Sequence, residues 1–245
     1  MKYELKNYSF GQTIGKGLNL YFDNFLYVVG ISLILYLPAL YLGFFAPSPE
    51  TEDLNVTGLY GLLYFMIIGF FLSAFIIHIV SKKYLGKTLS TSDYIGASLP
   101  LLISIFLLSL LETGLILLGF ILLIVPGLIL AVGFSVSVNA LVVERLSPVQ
   151  SLRRSWRLTR GKRWPILGLM VLYGVTNLLV TYSIILLIAN IYPNIYDITG
   201  YILSALSGPI GSCIFVVVYF NLRVEKEGFN VEHLAEQFSL TDDPE

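Results

Sequence analysis

Apolar stretches longer than a soluble core can use govern what this chain can become. Uncharged runs close to the length needed to cross a bilayer, about 20 residues, occupy Phe25–Ala46, Thr57–Val80, Trp164–Ala189 and Thr199–Leu222. A fifth region, Pro100–Val143, is twice that length. Its interior Val125-Pro126-Gly127 predicts a tight turn, because proline ends a helix and glycine relaxes the backbone. Six helical spans follow, at about 25–46, 57–80, 100–123, 127–144, 164–189 and 199–222. With 56% hydrophobic and only 13% charged residues, the composition agrees with an all-α polytopic membrane protein. Residues 1–224 form the membrane domain on this reading, and 225–245 form an acidic tail.

Lysine and arginine prefer the cytoplasmic side of a membrane. All fifteen basic residues fall before the first span, between the second and third, between the fourth and fifth, or after the sixth. The opposite loops contain none, and carry Glu50, Glu52, Asp53 and Asp197. Both termini are therefore expected in the cytoplasm, in a multi-pass protein of the inner cell membrane. The N-terminal residues show no short apolar region with a small-residue cleavage site, so no removable signal is expected.

Six of the fifteen basic residues, Arg153, Arg154, Arg157, Arg160, Lys162 and Arg163, lie between Ser147 and Trp164. Ser147 is a good N-cap, Pro148 suits the first helical position, and Gln150 completes a capping box. Gly161 is a natural stop. Leu152, Trp156 and Thr159 share a face while the arginines spread over the remainder. The expected element is a basic amphipathic helix in the membrane interface, its arginines and Trp156 among anionic lipid headgroups. Trp156 and Trp164, the only tryptophans, suit an interfacial belt.

The same opening recurs. Ser9, Ser90 and Ser147 each begin a segment with an apolar residue at the fifth following position, Ile14, Ile95 or Leu152, and a small residue eight positions on, Gly17, Ser98 or Ser155. This repeat predicts three membrane hairpins, each preceded by a cytoplasmic interfacial amphipathic helix, at about 9–22, 90–98 and 147–160.

Glu112 is the one carboxylate well inside an expected span, where an ionised group is costly unless paired. Ser135, Ser137 and Asn177 sit at comparable expected depth, so a midplane polar site around Glu112 is a candidate. It could serve a transporter or channel for a small or lipidic solute, or Glu112 could make a structural hydrogen bond between helices. Ser204, Gly208 and Ser212 form a small-residue face suited to close helix contact. The single Cys213 excludes an intramolecular disulfide and a multi-cysteine metal site. No paired-histidine zinc helix, nucleophile elbow, phosphate-cradling glycine loop or acidic metal cluster is recognisable. No catalytic residue, metal or cofactor is therefore expected, and lipid phosphate is a nearer anion than nucleic acid for the arginine band.

The run Ile124–Val132, reading IVPGLILAV, then Val143-Glu144, Ser147-Pro148 and SLRRSWRLTRG from Ser151 to Gly161, resembles the membrane domain of the glycerophosphoryl diester phosphodiesterase type. That domain also occurs alone in uncharacterised prokaryotic proteins. The resemblance implies a helical domain in the cytoplasmic membrane. It implies no activity, because the catalytic barrel of the fused relatives is missing. The expected role is a non-enzymatic membrane scaffold or accessory domain that engages anionic lipids, with a protein partner at the cytoplasmic face as a further expectation.

Overall fold

The structure, a computed structural model, describes residues 8–45, 69, 72–84, 101–191 and 196–228. Among these residues every regular element is helical. The order is α1 (Phe10–Asp23), α2 (Phe25–Phe45), α3 (Leu102–Leu122), α4 (Ile124–Phe134), α5 (Ser137–Glu144), α6 (Pro148–Thr159), α7 (Arg163–Ile191) and α8 (Tyr196–Glu227); residues 72–84 are helical as well. Among the described residues four stretches are long and apolar enough to cross a membrane: Leu102–Leu122, Ile124–Glu144, Arg163–Ile188 and Thr199–Glu227. A fifth is present if α1 and the first part of α2, bent by 77° at Asn24, are taken as one broken span. The expected interfacial helix at 90–98, most of the span at 57–80 and the tail beyond 228 lie outside the described residues.

Helix α8 is the centre of the bundle, with α1, α2, α5, α6 and α7 all against it. Its residues from Val216 to Phe220 are buried in succession, so that stretch is covered on all sides, as an all-round apolar segment must be. Gly208, on the small-residue face expected from the sequence, meets nothing within 4 Å. The close approach comes at Gly211 instead, where an added Cβ would lie 2.8 Å from the Tyr173 ring. The Tyr173 hydroxyl donates to the Ser207 carbonyl at 2.9 Å and fastens α7 to α8 there.

Three contacts fix the position of α1. Asn221 Nδ2 donates to Thr13 Oγ1 at 3.0 Å, Gly17 lies against Ile214, and the Tyr21 hydroxyl donates to the Leu206 carbonyl at 3.0 Å. Ascending α1 therefore means descending α8. The expected interfacial helix at 9–22 is a helix of nearly that extent, packed antiparallel along α8. Gly17 permits it, because a Cβ there would sit 2.8 Å from the Ile214 Cα. The Asn24 side chain donates to the Leu20 carbonyl at 2.8 Å, satisfying an end group where the chain turns into α2.

Two expected boundaries move. The turn between α3 and α4 falls at Leu123, which is extended (φ −167°, ψ 156°), and not at Val125–Gly127. Pro126 lies in the first turn of α4, where a missing N–H costs no intrahelical bond. Gly127 allows close approach: a Cβ at Gly119 would lie 2.9 Å from its Cα. The span expected at 127–144 is broken into α4 and α5 at Ser135 and Val136. The reason lies in α6.

Candidate functional site

Helix α6 begins as its sequence dictates. Pro148 occupies the first turn, Gln150 Oε1 accepts from the Ser147 N–H at 3.2 Å, and Ser151 Oγ donates back to the Ser147 carbonyl at 2.9 Å. It ends where Gly161 takes a left-handed φ of 85°, a conformation costly for other residues. Ser151, Leu152, Ser155, Leu158 and Thr159 form its buried face.

That face mends the break between α4 and α5. Ser155 Oγ donates to the Gly133 carbonyl at 2.8 Å and accepts from the Val136 N–H at 3.3 Å. Thr159 Oγ1 donates to the same carbonyl at 3.2 Å. A broken helix inside a membrane needs its freed backbone groups satisfied by neighbours, and two hydroxyls of α6 do so. Trp156 packs beside them on Phe134, in the space that glycine leaves at position 133.

The six basic residues and Trp156 then separate by environment. Arg153, Arg157 and Arg160 are exposed, and no carboxylate among the described residues pairs with them. Arg154 turns inward. Its Nε lies 2.9 Å from both carboxylate oxygens of Glu144, and its guanidinium also pairs with Glu227. Burial disfavours the Arg154 charge, but its hydrogen bonds to Glu227 and Glu144 outweigh it and hold the group above its ordinary pKa. Tyr219 donates to Glu144 at 2.5 Å. Arg223, 3% exposed, bonds Glu227 at 3.2 Å. Two arginines thus face two carboxylates where α5, α6 and α8 converge, so the low-dielectric site carries balanced charge.

Arg163 lies over the Trp156 ring, 3.8 Å from its centroid, within cation–π range. Lys162 pairs with Glu225 at 2.6 Å, and Lys226 donates to the Arg157 and Arg160 carbonyls at the end of α6. Arg154, Trp156 and Arg163 accordingly serve contacts within the chain. Trp164, 82% exposed, stands outside the packing.

The candidate midplane cluster divides. Ser137 donates to Glu112 at 2.5 Å, joining α3 to α5. Ser135 bonds its own turn through the Val132 carbonyl at 2.8 Å. Asn177 belongs to α7, which packs on α4 and α8, and its carbonyl accepts from Thr181 at 3.4 Å. Glu112 and Ser137 meet; Ser135 and Asn177 have other partners. Among the described residues no group of three or more His, Cys, Asp or Glu could hold a metal ion.

Sequence reasoning missed Glu144, Tyr219, Arg223 and Glu227. The i, i+4 spacing of Arg223 and Glu227 was a visible signal. Pairing with Arg154 depends on the tertiary fold and was not.

Residues 54–222 match the model of an uncharacterised protein family, UPF0259. The chain belongs to UPF0259. Similar relatives are UPF0259 membrane proteins of Pectobacterium carotovorum, 29% identical over 55% of this chain and 52% of the relative, of Photorhabdus laumondii, 26% identical over 70% and 66%, and of Serratia proteamaculans, 29% identical over 59% and 55%. The chain thus spans between half and two thirds of the length of the curated relatives it matches. No solved structure matches it. The UPF0259 match contains Glu112, Ser137, Glu144, Arg154 and Tyr219, and ends just before Arg223.

Proposed function

We propose that this UPF0259 protein is a non-enzymatic membrane scaffold or accessory domain whose basic face engages anionic lipid headgroups. The supporting observation is the division of α6: its buried face locks into the bundle while Arg153, Arg157 and Arg160 stand exposed. At i, i+4 and i+7 these three share one helix face. Each basic residue near an anionic surface contributes about 1 kcal/mol. Arg153 and Arg157 carry the reading, with Arg160 continuing the row; Lys162 contributes at the edge, held by Glu225.

We place both termini and this face in the cytoplasm, following the distribution of lysine and arginine. Kinship with the membrane domain of the glycerophosphoryl diester phosphodiesterase type is part of the proposal, on the residues from Ile124 to Gly161. Glu112 is structural on this reading, joining two helices through Ser137, which supports a scaffold over a transporter.

The test is lipid retention after gentle extraction. Arg153→Gln, Arg157→Gln and Arg160→Gln together should weaken binding of anionic lipid about a hundredfold, by the sum of three such contributions. Retention equal to wild type would remove the proposal.

A further inference from the structure

A second surface offers a different chemistry. Where α1, α7 and α8 diverge, a cleft of about 500 Å³ opens at the basic end, with Ser9, Thr13, Lys162, Asn221 and Glu225 among its lining residues. A slot of about 330 Å³ continues between the same three helices, lined mainly by apolar groups such as Ile14, Leu18, Leu172, Val180 and Ile214. Leu169 lines both, so mouth and slot adjoin at that side chain and together make a groove.

We propose that this groove holds one zwitterionic phospholipid, with a phosphate-and-ammonium headgroup in the mouth and one acyl chain in the slot. Three observations select that occupant. Among the described residues the mouth carries one cation and one anion, Lys162 and Glu225, set 2.6 Å apart, and Lys162 remains 41% exposed. A headgroup with phosphate and ammonium is the complement of that pair, whereas an anionic headgroup would meet Glu225 with like charge. Leu169 and Val180 stand roughly three turns apart on α7, about 16 Å along its axis, close to the ~15 Å of hydrocarbon in one leaflet. Beyond Leu169 no described residue of α7 is buried, so the groove opens sideways to the acyl chains from which it would fill.

This inference goes beyond the arginine-face reading and does not depend on it, because it shares only Lys162, at the edge of that face, and takes a different lipid class. The full-length protein is reconstituted in bilayers of equal phosphatidylethanolamine and phosphatidylglycerol, extracted gently and weighed intact with its lipids. The wild type should retain one phosphatidylethanolamine. Leu172→Trp, which fills the slot from a position already exposed, should lower that occupancy at least fivefold, and Lys162→Ala with Glu225→Ala should do the same. Val175→Trp, exposed on α7 but outside the slot, should leave it unchanged. The inference is overturned if the wild type retains no phosphatidylethanolamine, if Leu172→Trp and Val175→Trp behave alike, or if phosphatidylglycerol occupies the groove equally. Loss of anionic lipid alone on replacing Arg153, Arg157 and Arg160 would support the arginine face and leave the groove's occupancy intact.

Discussion

Helices α1 and α6 start alike and finish differently. Each opens on a serine whose N–H is accepted by a glutamine three residues on, Gln12 at 3.1 Å and Gln150 at 3.2 Å. Each has a hydroxyl at the next position returned to the serine carbonyl, Thr13 at 3.0 Å and Ser151 at 2.9 Å. Each then buries a small residue eight positions after the serine. In α1 that residue is Gly17, which brings two backbones together along α8. In α6 it is Ser155, whose hydroxyl serves a broken span. The shared start settles where a helix begins and which face turns inward; the eighth position settles whether its partner is a continuous helix or an interrupted one. The outer faces differ too, since α6 carries Arg153 and Arg157, with Arg160 just past its end, where α1 has Lys16 as its one basic residue.

The largest effect should come from the ionic anchor that ties α6 to α5 and α8. Glu144→Ala leaves Arg154 buried with one carboxylate and Tyr219 without its acceptor. Breaking one side of a buried pair costs about 3 kcal/mol, so thermal unfolding in detergent should shift down sharply; an unshifted transition would mean the network is ornamental to stability. Next in size, Gly17→Val forces the branched side chain against Ile214 and should cost about 1–3 kcal/mol as an overpacked contact. Its expected signature is local: faster hydrogen exchange along α1 with α6 unaffected. Smaller again, Ser155→Ala removes the partner of the Val136 N–H, while Thr159 still serves the Gly133 carbonyl. A loss of about 1 kcal/mol is expected, with faster exchange confined to the α4–α5 break. If Gly17→Val and Ser155→Ala disturbed the same amides, the two helices would not be independent anchors.

Much of this was legible from local chemistry. The capping signals at Ser9 and Ser147, the stop at Gly161 and the helical character of the apolar runs depend on residues within one or two turns. What escaped depends on partners far along the chain. Nothing near Ser135 announces that Ser155 and Thr159 will stabilise a break there, and a continuous apolar run reads as one helix. Pro126 drew the expected turn to itself, though the first turn of a helix accepts it as readily as a loop does. Amphipathicity in α1 announces a buried polar stripe but not its partners, which for Thr13 and Tyr21 are Asn221 and the Leu206 carbonyl. Similar linear depth put Asn177 beside Glu112 in expectation, but depth says nothing about which helices are neighbours.

Helix α6 is itself divided, between an inward arginine that holds the fold and an outward row that we propose meets lipid. One paired measurement tests it: thermal stability and retained anionic lipid, recorded together for Arg154→Gln and for the triple replacement of Arg153, Arg157 and Arg160 by glutamine. Arg154→Gln should lower the unfolding temperature and keep the lipid, while the triple variant should keep the temperature and lose the lipid. If both variants moved both quantities equally, or if the triple variant lost stability and held its lipid, the division would be contradicted.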